Sequence, residues 1–217
     1  MTTVFIRQAA YDYQVIRSVV FDMLASNEAP AIDAGTRVLI KPNLLAPAAP
    51  EKAVTTHPQI VRAAAEFAIE RGAGVQISDS PAMGNFSRLL KKGGYAEMLE
   101  DLDVTVKPFD ETVTVDVGDP FGGIEIARDA MEADVVLNLA KLKTHTQMML
   151  TLGVKNIFGC IVGLKKPEWH MRTGVDRQMF ARLIVGIFEA VQPAYTIVDG
   201  VLAMEGQGPG KGGTPRE

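Results

Sequence analysis

A cluster of cationic and polar side chains in residues 141–156 is the part of this sequence that most directly suggests chemistry. The segment K-L-K-T-H-T-Q-M-M-L-T-L-G-V-K-N follows the apolar run 135–140, which is typical of a buried strand. In an extended backbone, Lys141 and Lys143 point to the same side. Cationic groups at the exit of a parallel strand are a common anion site in α/β proteins. The segment therefore predicts a site for a small anion, such as a carboxylate or a phosphate.

The distribution of charge supports this prediction. The formal net charge of the chain is -4 at pH 7, which argues against a general nucleic-acid binder. Between Lys141 and Arg172, five lysines and one arginine are opposed by a single acid, Glu168. A local positive potential in an otherwise acidic protein favours anion binding, although a solvated basic loop would have the same composition. Basic residues are also not interleaved with aromatic ones, which counts further against nucleic acid.

Polar residues follow the ends of the other predicted strands as well. The carboxyl ends of parallel strands meet at one edge of a sheet, so we expect these residues to come together there. Asp-Ser and Asp-Gly pairs are also ordinary turn formers, which is the alternative for Asp79 and Asp199 taken singly. The predicted ligand-binding residues are Lys41, Asn43, Lys141, Thr144, Lys155, Asn156 and Asp199.

Proton transfer is assigned to His145, and Lys143 and Asp79 are the other predicted catalytic residues. Nearby positive charge should lower the pKa of His145, which keeps the imidazole neutral and able to accept a proton. Asp79 or Asp199 would orient a lysine or bind a metal.

The remaining histidines and the single cysteine are given other roles. His57 in T-T-H-P is interpreted as part of a helix start, with Pro58 in the first turn. His170 is placed in a loop, and Cys160 is interpreted as a small buried residue. No ligand spacing supports a metal, so no metal site is assigned; a metal-dependent enzyme that uses histidine and aspartate residues is kept as an alternative.

Strands and helices alternate along the chain, which predicts an α/β fold with a mostly parallel sheet covered by helices on both faces. Three short alternating segments (104–106, 112–115 and 123–126) are expected to form a small antiparallel addition. The predicted strands are 3–6, 37–41, 74–79, 134–139 and 195–198. The predicted helices are 12–26, one from about 58 to 71, 86–92, 95–100 and 176–191.

Length and composition predict a single cytoplasmic domain. The 217 residues are 47% hydrophobic, which is enough for one large core, and no apolar run reaches the length of a membrane span. The N-terminus lacks an export signal, and one cysteine excludes an internal disulfide framework. The Gly-rich end, E-G-Q-G-P-G-K-G-G-T-P-R-E, suggests either a flexible tail or a chain truncated at its C-terminus. We favour truncation.

Six sequence elements in order resemble one family, the domain of unknown function 362. They are I-K-P-N-L-L (40–45), T-T-H-P (55–58), D-S (79–80), K-L-K-T-H (141–145), T-L-G-V-K-N-I-F-G (151–159) and D-G-V-L-A-M-E-G-Q-G-P (199–209). The resemblance implies an uncharacterised protein that is often associated with iron–sulfur clusters. Many members of this family carry a C-terminal ferredoxin-like domain with cysteine-rich motifs, which this sequence with its single cysteine does not supply, so a cluster is expected to come from a partner or from a missing domain.

Two functions are therefore compatible with the sequence, and it does not decide whether the protein is an enzyme. One is a redox-linked enzyme domain that binds a small anion and works with a ferredoxin-type electron carrier. The other is a non-catalytic ligand-binding module. Neither a nucleic acid nor a membrane is expected as a partner.

Overall fold

A mostly parallel, seven-stranded sheet forms the centre of the described fold. The computed structural model describes residues 4–25, 31–82, 84–173, 176–208 and 213–216. The strands are β1 (Arg37–Pro42), β2 (Gly74–Ile77), β3 (Thr105–Val106), β4 (Thr112–Asp116), β5 (Gly123–Ala127), β6 (Val135–His145), β7 (Met149–Thr151), β8 (Tyr195–Glu205) and β9 (Thr214–Arg216). The sheet order is β3-β2-β1-β6-β8-β9, with β7 paired to β6, while β4 and β5 form a separate antiparallel hairpin.

Helices cover both faces of the sheet. They are α1 (Tyr13–Ala25), α2 (Pro58–Ile69), α3 (Phe86–Lys92), α4 (Tyr95–Met98), α5 (Arg128–Glu132), α6 (Gly153–Asn156), α7 (Lys165–Thr173) and α8 (Arg177–Val191), with 3-10 turns at Pro50–Lys52 and Ile157–Cys160. The buried residues of α1 to α4 belong to one core cluster, and those of α5, α7 and α8 belong to a second. This confirms the three-layer α/β fold with a small antiparallel addition.

Strand alternation divides the sheet between the two cores. In β1, Val38 and Ile40 pack with α1 and α2, whereas Leu39 packs with α8. In β6, Leu137 and Val136 are divided in the same way. Both faces of these strands are covered, so both need apolar side chains, which explains the near-continuous apolar runs in the sequence.

Side chains cap the starts of α2 and α8, and the helix start predicted at T-T-H-P is confirmed. His57 is the N-cap of α2, where its side chain accepts a hydrogen bond from the backbone N–H of Gln59, and Pro58 occupies the first turn. Asp176 caps α8 and accepts from the backbone N–H groups of Gln178 and Met179. These contacts satisfy amide donors that a helix start otherwise leaves unpaired.

Some predicted elements were wrong. Residues 4–6 of the predicted first strand are not in a strand, and residue 3 lies outside the described residues. Residues 105–106 pair in parallel with β2 instead of joining the antiparallel hairpin. His170 lies in α7, not in a loop. The helix was not predicted because it begins with the polar sequence K-K-P-E, although Trp169 and Thr173 bury one of its sides.

The two central strands are longer than predicted, since β6 and β8 each have 11 residues. Lys141, Lys143, Thr144 and His145 therefore belong to β6 itself and do not follow it. Within the Gly-rich end, Thr214–Arg216 form β9, which pairs antiparallel with the end of β8. In the residues that the structure describes, no helix is both long and apolar enough to cross a membrane.

Candidate functional site

A cavity of about 460 Å³ lies beside the carboxyl ends of β1, β2 and β6. Its wall combines residues that follow β1 and β2, the end of β6, and residues of α6 and α7. The polar and ionisable residues in the wall are Asn43, Asp79, Ser80, Lys143, His145, Thr146, Thr151, Lys155, Asn156, Lys166, His170 and Gln207. Phe158, Leu44, Leu45 and Pro167 are among the apolar ones. The volume is within the range of sites for small molecules.

Asp79 is held in place at the floor of the cavity by a buried ion pair. Its carboxylate accepts hydrogen bonds from the Lys41 ammonium (2.9 Å), the Leu44 backbone N–H (2.7 Å) and the Ser80 backbone N–H (2.9 Å). Burial opposes ionisation of Asp79, but Lys41 and Lys166 outweigh that effect, so the pKa of the carboxyl is lowered. Asp79 is thus an anion whose charge is already compensated, and Lys41 is completely buried behind it.

A chain of amide hydrogen bonds fixes the wall next to this pair. Asn43 donates to Asn156 (2.8 Å), Asn156 donates to Asn138 (2.8 Å), and Asn138 donates to the Gly153 carbonyl (2.9 Å). Each amide oxygen in this chain accepts, so the orientation of all three amides is set. This chain of hydrogen bonds ends at Asn43, whose Oδ1 accepts a hydrogen bond from the Lys143 ammonium at 2.7 Å.

Lys143 is a buried amine with neutral acceptors only. Besides Asn43, its Nζ donates to the Val54 backbone carbonyl, and no carboxylate contacts it among the described residues. Burial, together with the nearby Lys155, lowers its pKa to about 7. An amine with such a pKa exchanges protons at neutral pH.

Two further lysines of the wall share this environment. Burial, with smaller contributions from neighbouring lysines, lowers the pKa of both Lys155 and Lys166 to about 8. Lys166 donates to the Ser80 backbone carbonyl. Lys155 lies beside the rings of Phe158 and Phe180, with its Nζ 5.4 and 5.8 Å from their centroids.

His145 is a neutral hydrogen-bond donor in this geometry. Burial, followed by the charge of Lys155, lowers its pKa to about 3, in the direction that the sequence predicts. Its Nδ1 accepts from the backbone N–H groups of Gln147 (3.2 Å) and Met148 (3.1 Å). The proton of the neutral ring is therefore on Nε2, so this ring nitrogen can donate to a ligand but cannot accept a proton from one.

His170 has the opposite tautomer. Its Nδ1 is 2.8 Å from Oε1 of Gln147, an atom that can only accept, so Nδ1 carries the proton. The pKa of His170 is lowered by burial and by the charges of Lys155 and Lys166. The neutral ring consequently leaves Nε2 as an acceptor, which makes His170 the cavity histidine that can take up a proton.

Lys141 and Asp199 form a second buried pair that does not line the cavity. Lys141 donates to Asp199 at 2.8 Å and to the Tyr11 hydroxyl at 2.9 Å, and Tyr11 donates to the same carboxylate at 2.7 Å. The backbone N–H of His57 also donates to Asp199 (2.9 Å), and the His57 ring stacks on Tyr11 with centroids 3.7 Å apart. This cluster joins the segment before α1, the start of α2 and the two central strands.

The structure thus separates residues that the sequence treats as one site. Between Lys141 and Lys143 the pairing with β8 shifts from Asp199 to Met204, and the two lysines have different partners. Of the predicted residues, the cavity wall brings together Asn43, Asp79, Lys143, His145, Lys155 and Asn156. Lys41, Lys141 and Asp199 are buried in ion pairs, and Thr144 has a buried hydroxyl without a hydrogen-bond partner among the described residues.

Sequence reasoning missed several members of the wall. Lys166 is indistinguishable from Lys165 in the sequence, and the phase of an unpredicted helix alone determines which of the two is buried. Thr151 is 3% exposed and its hydroxyl has no hydrogen-bond partner among the described residues, which leaves it open to a ligand. His170 could have been found only with the helix that carries it.

The metal alternative finds no preformed ligand set in the described residues. There, no group of three or more histidine, cysteine, aspartate or glutamate side chains comes together in a metal-binding arrangement.

One family model and one curated relative match most of the chain. The family model called domain of unknown function (DUF362) matches residues 38–217. A thylakoid-associated protein of Synechocystis, sll1697, is 40% identical over 183 residues, which are 84% of this chain and 57% of that protein.

Solved structures share the fold at low sequence identity. A crystal structure of a Thermotoga maritima protein matches 98% of this chain and 55% of its own, with a TM-score of 0.56 and 14% identity. The lactate racemase apoprotein from Thermoanaerobacterium thermosaccharolyticum matches 86% of this chain and 48% of its own, with a TM-score of 0.51 and 12% identity. The chain therefore spans about half the length of these proteins, and the two structures show a shared fold.

Proposed function

This chain belongs to the DUF362 family, and on that premise, which assigns no activity, we propose from the geometry that its cavity binds a small anion, either a carboxylate or a phosphate. The ligand lies at the carboxyl edge of the sheet, between the end of β6 and helix α7. The same site is proposed to perform proton transfer on that ligand.

The imbalance of charge in the cavity wall is the observation that carries this proposal. Lys143, Lys155 and Lys166 line it, while Asp79 is the single acidic residue among the described lining residues. Asp79 is already neutralised by Lys41, which leaves three amines with no carboxylate of their own. Burial lowers the pKa values of these amines, so their positive charge is costly there, and a bound anion would remove that cost.

Neutral hydrogen-bond donors complete the anion site. His145 has its proton on Nε2, and the unpaired Thr151 hydroxyl is a further donor on the wall. Such groups stabilise an anion without adding charge. Lys143 and His170 are the proposed proton carriers, since one is an amine with a pKa of about 7 and the other has a free acceptor nitrogen. In this scheme Asp79 positions Lys41 and does not itself exchange a proton.

The direct test is calorimetric titration with sulfate, malonate and inorganic phosphate. Lys143→Met should weaken binding of each anion roughly 10- to 100-fold, as expected for the loss of one charged hydrogen bond of about 1.5–3 kcal/mol. Lys165→Met is the matched control, because Lys165 is half exposed and pairs with Glu125 and Glu168 on the surface. Its affinity should stay within about twofold of the original protein. Failure of all three anions to bind at millimolar concentration would overturn the proposal, as would equal losses in both variants.

Anion affinity should also fall as the pH rises. A bound anion favours the ammonium forms of the lysines that pair with it, so it raises the pKa values of Lys143 and Lys166 above their free values of about 7 and about 8. Binding is then coupled to proton uptake, and the affinity is greatest below pH 7 and declines through pH 8. Sulfate is the suitable probe because its charge is constant over this range. We expect its dissociation constant to be at least about tenfold larger at pH 9 than at pH 6.5.

A pH-independent sulfate affinity would show that the lysines do not hold the anion. The histidines should contribute little to the change in sulfate affinity above pH 6.5, since the pKa of His145 is about 3 and that of His170 is lowered from its usual value.

An iron–sulfur partner is proposed only as a source of electrons from outside this chain. The single cysteine, Cys160, is completely buried, and burial raises the pKa of its thiol to about 12. A cluster needs several accessible thiolates, so a partner protein or a further domain would have to hold it. The absence of turnover with any anion, with or without a ferredoxin-type electron donor, would favour the non-catalytic ligand-binding module instead.

A further inference from the structure

Lys155 lines the cavity and differs from the four buried lysines at this edge of the sheet because it has no polar partner. Among the described residues, no hydrogen-bond acceptor and no carboxylate contacts its Nζ. The other four all have partners: Lys41 has Asp79 and the Pro42 carbonyl, Lys141 has Asp199 and Tyr11, Lys143 has Asn43 and the Val54 carbonyl, and Lys166 has the Ser80 carbonyl. An amine that lines a cavity without a polar partner is available to a ligand.

The surroundings of Lys155 are those of a nucleophilic amine. Its Nζ lies near the faces of Phe158 and Phe180, which are themselves packed edge to face with centroids 5.2 Å apart. The His170 ring packs against the same two rings, at 5.2 and 4.5 Å between centroids. An apolar wall disfavours the ammonium form, and the pKa of Lys155 is lowered to about 8, so a useful fraction of the amine is neutral near pH 7.

We propose that Lys155 forms an imine with the carbonyl group of a 2-oxo acid held in the cavity. This rests on the proposed function, because the carboxylate of the 2-oxo acid would be the bound anion. Lys143 and Lys166 would pair with that carboxylate, and the adjacent carbonyl carbon would face Lys155, which lines the same cavity.

The atoms balance without an additional reactant. The Lys155 ammonium first releases one proton to solvent, and its neutral amine adds to the carbonyl carbon, whose oxygen becomes an oxyanion. His170 accepts a proton at Nε2 from the new carbon–nitrogen centre, since its Nδ1 proton is held by Gln147, and passes it to the oxyanion, which becomes a hydroxyl. The solvent proton then returns to this hydroxyl, which leaves as water while the nitrogen lone pair forms the protonated imine. Starting from the ammonium form, the sum is one imine cation and one water.

The test is reductive trapping of the intact protein. The protein is incubated at pH 7 with glyoxylate or pyruvate and cyanoborohydride, and the adduct is located by mass spectrometry of peptides. We expect Lys155 to be labelled at least about tenfold faster than exposed lysines such as Lys165, because more of its amine is neutral. The rate should rise between pH 6 and pH 8. Lactate, which carries a hydroxyl in place of the 2-oxo group, should give no adduct.

Lys155→Arg provides the control that distinguishes a specific imine from general lysine modification. Arginine keeps a cation in the cavity but forms no imine, so the adduct should disappear, whereas Lys165→Arg on the surface should leave the adduct unchanged. Label spread evenly over surface lysines, or concentrated on Lys143, would overturn the proposal. Sulfate binding without any trapped adduct would reject the imine and leave the proposed anion site intact, whereas loss of both in the original protein would reject both.

Discussion

Replacing Asp199 by alanine is expected to lower the free energy of unfolding by about 3–5 kcal/mol, measured by urea denaturation at pH 7. The substitution leaves the Lys141 ammonium 1% exposed and without its carboxylate. It also removes the acceptor of the Tyr11 hydroxyl and of the His57 backbone N–H. The cost comes mainly from the uncompensated charge and the orphaned donors, not from the lost attraction.

The pH dependence of this loss identifies the charge as its cause. Burial already lowers the pKa of Lys141, although Asp199 opposes the shift. Without Asp199 the folded-state pKa falls further below the unfolded value of 10.5, so the unfolded state binds more protons between these two values. Stability of the variant should therefore rise with pH, and the deficit should be smaller at pH 9 than at pH 7.

A double variant supplies the matched control. Lys141→Met with Asp199→Asn removes both charges, keeps an amide oxygen for the His57 N–H and places an amide NH2 that can donate to the Tyr11 hydroxyl. Most of the lost stability should return, since a buried ion pair is often replaceable by neutral groups of similar size. A deficit in Asp199→Ala below about 1 kcal/mol, or one that the double variant does not reduce, would contradict the structural role of this pair.

The fold could be predicted from the sequence because most strands and helices are each indicated by several residues that lie close together in the chain. Residues 37–40 and 135–139 are apolar at nearly every position, which is typical of strands covered on both faces. The stripe in α8 and the capping residues His57 and Asp176 act within a few positions of the helices that they define. These signals do not depend on any distant part of the chain.

Partners that come from distant segments could not be predicted in the same way. Nothing in the sequence distinguishes Lys141, paired to Asp199, from Lys143, paired to Asn43, and both lie on one strand. The tautomers of His145 and His170 could not be predicted for the same reason, because they depend on hydrogen bonds to the hairpin between β6 and β7. Most residues of the site could therefore be predicted from the sequence, whereas their hydrogen-bond partners and protonation states could not.

Gly159→Ala is expected to be the most damaging small substitution near the cavity. A Cβ atom at this position would overlap with Asp79 Oδ1 and with the end of the Lys41 side chain. Both partners are buried and tied to each other, so neither can move without breaking the pair. We expect a loss of roughly 3 kcal/mol or more in unfolding free energy, from overpacking and from partial separation of the two charges.

Gly74→Ala is the matched control, because Gly74 begins β2 and a Cβ there would meet nothing within 4 Å. Alanine also has less conformational freedom in the unfolded chain, so this variant should be as stable as the original protein or slightly more so.

Titration of Gly159→Ala with sulfate distinguishes an effect on stability from an effect on anion binding. If Asp79 and Lys41 set the floor of the anion site, Gly159→Ala should bind sulfate more weakly even under conditions where it remains folded. Equal stability of the two variants would mean that the approach of Gly159 to the buried pair is looser than the structure shows. In that case the Lys41–Asp79 pair could no longer be regarded as a fixed floor for the lysine-lined cavity.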